Sequence, residues 1–353
     1  MKLTAVDLFC GAGGMSLGLQ NAGFEVLAGF DNWESAVSTY SQNFGHDAHL
    51  IDLGSAQPED ILQLIGQPAG TLDLLAGGPP CQGFSIQRIG EDADPRNDLV
   101  VHFGRLIVGT RPKTFLMENV PGLLGRRGRD SFARFVNVIS EGGYEYDVLR
   151  VDAVEFGVPQ RRPRVLVYGW RRGLDDPGLR LSGLAHRPVT VAEALASLPP
   201  AAAPGTVDAE DPLHVESRLS EKNRERLQHI PPGGGFEDLP IELRVDCHRN
   251  GASKIGHRAV YGRLHPDRPS NVITARFDSF TRGRFAHPTE DRNITLREGA
   301  RLQSFPDEFR FYGNREQIAA LIGNAVPPLV AARVGAAISD HIIGVQPAAD
   351  NVN

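Results

Sequence analysis

Over its first 170 residues the chain alternates short apolar runs with stretches of helical spacing, and that alternation leaves few folds open. Leu3 to Val6, Val26 to Phe30, Leu50 to Asp52, Leu72 to Ala76, Phe115 to Met117 and Val165 to Val167 have the composition of buried strands. Between them, Leu99, Val100, Phe103, Leu106 and Ile107 recur at helical spacing, as do Phe132, Phe135, Val136 and Ile139. Strand, helix, strand in succession predicts an α/β fold, a doubly wound and mostly parallel sheet with helices on both faces. Such sheets bind their ligands in the crevice beyond the carboxyl ends of the strands. The residues that come after each strand therefore carry the functional information.

After the run ending at Ala76 comes Gly77-Gly78-Pro79-Pro80-Cys81-Gln82-Gly83-Phe84-Ser85. Two prolines stiffen the backbone and hold Cys81 at a fixed point on the carboxyl edge. A nucleophile needs such a mount, because attack requires a near-attack geometry. After the first strand comes Asp7-Leu8-Phe9-Cys10-Gly11-Ala12-Gly13-Gly14. Glycines there let a ligand approach the backbone closely. Ser16 stands where a dinucleotide fingerprint would need a small sixth residue, and Gly14 is extra, which weakens an NAD-dependent oxidoreductase reading. Asp31 ends the second strand some 20 residues on, where a ribose-binding acid belongs, with Asn32 and Glu34 as alternatives.

Further segments come in order: Glu118-Asn119-Val120, Gln160-Arg161-Arg162-Pro163-Arg164, Arg297 to Pro306 (REGARLQSFP) and Ile322 to Pro328 (IGNAVPP). Together with the first two they resemble the motifs of a bacterial-type DNA (cytosine-5)-methyltransferase over residues 3–343. The resemblance implies a class I S-adenosylmethionine-dependent fold with an inserted, loop-rich target-recognition domain. It implies covalent catalysis on a cytosine flipped out of duplex DNA, and no metal.

Carried over residue by residue, the resemblance makes Cys81 the thiolate that adds to carbon 6 of the base. Glu118 is the acid that donates to ring N3. Arg164 holds the ring carbonyl oxygen, Arg162 braces the site or contacts phosphate, and Asn119 ties the loops together. The base that takes the carbon-5 proton is not identified. For the cofactor, Gly11, Gly13 and Gly14 form the turn and Phe9, Pro80 and Leu99 the walls. Asp31 binds ribose, Asn32 or Trp33 lies against adenine, Asp52 accepts from the adenine amine, and Asn324 and Val326 close the pocket. Gln82, Ser85 and Gln87 are candidate contacts to the opened strand. Competing readings are a tRNA cytosine-5 methyltransferase and a nucleic-acid-binding regulator without activity. The segment Gln82-Gly83-Phe84-Ser85 disfavours the first, and intact Cys81, Glu118 and Arg164 disfavour the second.

Net charge is −6, but it is unevenly spread. Residues 251–285 hold seven cations against Asp267 and Asp278, a net +5, whereas residues 1–60 hold Lys2 against eight acids, a net −7. A local basic face suits phosphate binding. Arg258, Arg263, Arg276, Arg282 and Arg284 are the candidate DNA contacts there. After Trp170 proline and glycine become frequent and periodicity weakens. The expected division is a discontinuous catalytic and cofactor-binding domain at 1–172 and 287–345, a target-recognition domain at 173–286, and a flexible tail at 346–353. Three scattered cysteines read as reduced thiols in a cytosolic protein, and no apolar run approaches a membrane span. The resemblance implies a nucleoid-associated monomer acting on duplex DNA, with a cognate restriction endonuclease as a functional partner.

Overall fold

Strand β1 (Thr4–Leu8) lies between two parallel neighbours, β2 (Glu25–Asp31) and β4 (Leu74–Gly77). A strand covered on both faces has no solvent side, so its sequence is apolar without alternation, and all four residues of β4 are buried. With β3 (Ala48–Leu50), β5 (Thr114–Asn119), β6 (Tyr144–Asp152) and β7 (Pro163–Arg171) they form one sheet in the order β3-β2-β1-β4-β5-β7-β6. Strands β1 to β5 are parallel, as the alternation predicts, but β7 runs antiparallel to both β5 and β6. The strand order reverses between β1 and β4, so the crevice beyond their carboxyl ends is the ligand position for this topology. The computed structural model describes residues 2–80, 98–174, 179, 181, 186–206, 210–246 and 259–344.

Among the described residues five helices connect the strands: α1 (Gly14–Asn21), α2 (Glu34–Asn43), α3 (Pro58–Ile65), α4 (Asp98–Thr110) and α5 (Arg129–Glu141). Local chemistry sets their ends. Helix α3 begins with Pro58 in its first turn and Asp60 Oδ2 accepting from Gln57 N at 2.8 Å, and stops at left-handed Gly66. Phe103, Phe115 and Phe135 lie in one buried cluster with Leu8, Phe30 and Leu75 that supports the middle of the sheet.

The chain divides into two compact units, one holding residues 1–152, 163–185 and 326–353, the other 153–162 and 186–325. The second unit has short elements: α6 (Val191–Leu195), α7 (Glu221–Gln228), β8 (Gly262–Arg263), β9 (Arg284–Ala286), α8 (Leu296–Leu302) and α9 (Arg315–Asn324). Leu227, Ile230, Phe236, Leu239, Phe280 and Ala286 form a core cluster in it. Residues 287–325, expected with the sheet, are part of this unit. Ile294 N–H donates to Phe285 O and His287 N–H to Arg292 O, which ties β9 directly to the segment 287–294.

The last helix, α10 (Pro328–Ile343), belongs to the first unit and packs on α1. Gly18 permits that contact, because any side chain there would strike Pro328 and Ala331. The stretch 315–343 is long and apolar enough to cross a membrane by composition, but it is two helices, mostly buried inside the protein.

Candidate active site

At the carboxyl end of β1 the backbone turns through Phe9 (φ 59°), Gly11 (φ 55°) and Gly13 (φ 94°). Phe9 accepts a left-handed conformation that a bulky residue rarely adopts. Among the described residues nothing lies within 4 Å of where a side chain at Gly11 would sit, so the turn is open in front. Asp31 holds it from the side. Its Oδ2 accepts from Gly11 N at 2.9 Å and its Oδ1 from Trp33 N at 3.0 Å. Burial raises the Asp31 carboxyl above its ordinary pKa, against the bond from Gly11 N–H. Asn32 is exposed beside it.

Asp52 comes after β3 and is exposed, its Oδ1 accepting from Gly54 N at 2.9 Å. A side chain at Gly54 would stand 3.1 Å from both Asp52 and Leu99, so these two expected cofactor residues face one place. An open glycine turn, a half-buried carboxylate at its side and a second carboxylate beside an apolar wall fit S-adenosylmethionine, which carries a ribose and an adenine amine.

Beyond β4 the chain runs Gly77, Gly78, Pro79, Pro80. Gly77 is required, because a side chain there would press on Leu8 O and the Phe103 ring at 2.8 Å. Asn119 anchors the segment, its Nδ2 donating to Pro79 O at 3.1 Å. Half-buried Pro80 ends the described residues on this side. Cys81, Gln82, Ser85 and Gln87 lie outside the described residues.

Glu118, at the end of β5, pairs with Arg164 at the start of β7: Arg164 Nε stands 2.7 Å from Glu118 Oε1, with both side chains about seven-eighths buried. The antiparallel register makes this possible. Glu118 is opposite Leu166, and Arg164 is two residues earlier on the same face. A Cβ on Gly78 would lie 3.9 Å from Glu118 Oε2, so the segment leading to Cys81 passes beside this carboxylate. The structure thus brings Glu118, Asn119, Arg164 and the Pro79 anchor to one edge.

Arg162 has a different position. It lies in the second unit, 2 % exposed, with Nη1 donating to Ile273 O and Nη2 to Gly323 O and Ala325 O. Of the two roles expected of Arg162, bracing the site or contacting phosphate, these buried bonds to backbone carbonyls suit the first. Beside it, Gln160 Nε2 donates to Gln303 Oε1 at 2.7 Å and Gln160 Oε1 accepts from Ile273 N. Gln303 Nε2 donates to Ile322 O. Three sequence motifs therefore meet in one buried polar hub that sequence reasoning missed, although both glutamines stand inside recognisable motifs. Asn324 is exposed at the end of α9 in this unit, and half-buried Val326 opens the returning segment of the first.

The candidate DNA-binding arginines divide by burial. A guanidinium has five N–H donors, and Arg263 directs its donors inward, to Ile230 O, His287 O, Glu290 O, Leu227 O and Asp291 Oδ1. Arg284 Nη1 donates to Gly233 O and Gly234 O, and to Arg263 O at 3.1 Å. Buried Arg263, expected as a DNA contact, is a frame residue with every donor directed inward, whereas half-buried Arg284 gives one nitrogen to the same frame. Arg276 pairs with Glu316 and Asp278, Arg282 is exposed, and Arg258 lies outside the described residues.

Comparison with known proteins bears on the chemistry of this site. A family model described as C-5 cytosine-specific DNA methylase matches residues 3–340. The chain is 31 % identical over 347 residues to Type II methylase M.HgiDII of Herpetosiphon aurantiacus, covering 96 % of each. It is 34 % identical to Type II methyltransferase M1.HphI of Haemophilus parahaemolyticus, over 96 % of this chain and 87 % of that one. A crystal structure described as that of a prophage-encoded DNA modification methyltransferase (E. coli) superposes with a TM-score of 0.75 at 27 % identity, over 97 % of this chain and 100 % of that one.

Proposed function

The chain belongs to the C-5 cytosine-specific DNA methylase family, and from that premise we propose that Cys81, Glu118 and Arg164 carry the chemistry at the edge formed by β4, β5 and β7. The enzyme transfers a methyl group to carbon 5 of cytosine in DNA, using S-adenosylmethionine. S-adenosylmethionine supplies the methyl as an electrophile bound to a sulfonium.

Carbon 5 of cytosine is not nucleophilic. The Cys81 thiolate adds to carbon 6, which turns carbon 5 into the nucleophile of an enamine. Glu118 donates toward ring N3, and Arg164 stabilises charge developing on the ring oxygen. The observation that supports these roles best is the 2.7 Å contact between Glu118 and Arg164. It holds an acid and a planar cation side by side, as the N3 and O2 edge of cytosine requires. Entry of the base exchanges that ion pair for contacts to the ring. The flip costs a few kcal/mol of unstacking.

Asp31, Asp52, Leu99, Phe9, Pro80 and the turn at Gly11, Gly13 and Gly14 hold the cofactor, with Asn32 against adenine and Val326 closing the site. The target sequence is read by the loop-rich module at 173–286, with Arg276 and Arg282 the candidate DNA contacts among its described arginines. The likeness to Type II methyltransferases supports a role in protecting host DNA beside a cognate endonuclease, with the enzyme a monomer acting on the nucleoid in the cytoplasm.

Duplex DNA carrying 5-fluorocytosine at the target tests the assignment. Fluorine blocks the final elimination, so the enzyme becomes covalently trapped with the adduct on Cys81. An adduct mapped to Cys10 or Cys247 would overturn it.

A further inference from the structure

Behind the glycine turn runs a chain of polar side chains that the catalytic roles do not use. Ser16, in the first turn of α1, donates to Asp7 Oδ2 from both N (3.1 Å) and Oγ (2.7 Å). Tyr40 Oη donates to Ser16 Oγ at 2.7 Å, and His46 Nε2 lies 2.8 Å from Tyr40 Oη. Asp7, Ser16 and Tyr40 are fully or almost fully buried, whereas His46 is partly exposed.

The direction of these bonds follows from counting protons. An ionised carboxylate only accepts, so the Ser16 hydroxyl gives its proton to Asp7. Ser16 then accepts from Tyr40, whose oxygen accepts from His46 Nε2–H. The four groups form one donor chain from solvent to a buried carboxylate.

The chain bears on the turn in two ways. The α1 N-cap, Gly13, has no side chain, and Asp7 satisfies the orphan amide of Ser16 from an adjacent strand. The Tyr40 ring also backs the turn, because a side chain at Gly13 would overlap Phe44 and press on Tyr40, and one at Gly29 would strike Tyr40 at 2.6 Å. Asp31 holds Gly11 from the side while Tyr40 and Asp7 fix the turn from behind.

We propose that Asp7, Ser16, Tyr40 and His46 are positioning residues that set S-adenosylmethionine affinity and make it depend on pH. This rests on the reading of the turn at residues 9–14 as the cofactor site. The titratable groups facing Asp7 are Cys10 in the turn, Asp31 on β2 and Tyr40 on α2, and His46 has Asp47 beside it. The Ser16 amide and hydroxyl supply the bonds to the Asp7 carboxylate. Burial pushes that carboxyl up to about 7, with the Ser16 bonds opposing. A bound sulfonium favours the ionised form, so affinity rises as pH increases through that region and levels off above it.

Calorimetry with S-adenosylmethionine from about pH 5.5 to 8.5 tests this, alongside a carboxylate NMR titration of the cofactor-free protein. Tyr40→Phe keeps the ring and removes one bond of the chain. It is expected to weaken cofactor binding about fivefold at neutral pH and to move the Asp7 midpoint upward, while turnover at saturating cofactor and DNA affinity are retained. Asp7→Asn flattens the rise near neutrality. If either variant fails to fold, His46→Ala at the exposed end still moves the midpoint upward. An unchanged midpoint in the folded variants overturns the proposal. Asp31→Ala separates the two claims: loss of affinity there with none in Tyr40→Phe removes the chain alone, and unchanged affinity in Asp31→Ala removes the cofactor-site reading and the chain with it.

Discussion

Glu118 and Arg164 meet at 2.7 Å because β7 runs antiparallel to β5, so that the start of one strand lies beside the end of the other. Had β7 been parallel, Arg164 would stand at the opposite edge of the sheet. The pair gives each side chain a partner in the absence of a base, which avoids a buried uncompensated charge.

Removing either member should impair chemistry and also leave the other charge mostly buried without its partner. Glu118→Gln is expected to lower kcat about 10²–10⁴-fold, the range for a lost general acid. Arg164→Ala is expected to lower it about 10²–10³-fold. The double variant should fall well short of the product, because each single change already leaves the other group without its partner. Single-turnover methylation with saturating DNA measures all three.

Asp31→Ala should weaken S-adenosylmethionine binding by about 1.5–3 kcal/mol, the worth of a charged hydrogen bond. DNA affinity should hold. The variant also frees Gly11 N–H, so amide exchange at Gly11 should quicken in the same protein. Wild-type cofactor affinity would move the ribose contact to Asn32 or Glu34.

Arg263 and Arg282 should behave oppositely although the sequence treats them alike. Arg263→Ala strips partners from four backbone carbonyls and Asp291, and is expected to cost at least about 3 kcal/mol of stability. Arg282→Ala should leave the thermal midpoint unchanged. It should reduce the salt dependence of DNA binding by about one phosphate if it contacts the backbone, or relax one position of the target at about 1–3 kcal/mol if it reads a base. Thermal melts and salt titrations on both variants decide this.

The second unit should be sensitive to acid. Burial opposes ionisation of Glu298, but hydrogen bonds from Arg292 at 2.8 and 2.9 Å, the charges of Arg292 and His287 and the bond from Thr295 N–H together outweigh it and hold the carboxyl below its ordinary pKa. A depressed carboxyl contributes stability above its unfolded pKa of about 4.3 and loses it as pH falls toward the folded value. Urea melts should therefore show a fall in stability below about pH 4 that is shallower in Glu298→Gln, which is less stable at neutral pH.

Much of the sheet was legible in the sequence because buried parallel strands are continuous apolar runs and their helices keep a regular spacing. Val26 to Phe30 and Leu72 to Ala76 became β2 and β4 almost as expected. Strand β6 was not legible, since most of its residues are half-buried or exposed and it carries Glu145, Asp147 and Arg150. Helix α9 was hidden for a similar reason, as its first turn is charged and its apolar face short.

The sequence alone determined which groups can do chemistry: a cysteine behind two prolines, an acid and an arginine at strand ends, glycines before a helix. Those choices are local, because turn geometry and side-chain type are written within a few residues. Only the tertiary structure decided which charges are used up. Arg162, Arg263 and Arg284 are bound by carbonyl oxygens from distant segments, and Asp7 by Ser16, with Tyr40 and His46 extending the chain. Backbone carbonyls are the same in every residue, so no side-chain pattern announces where they converge, and that convergence exists only once the chain has folded.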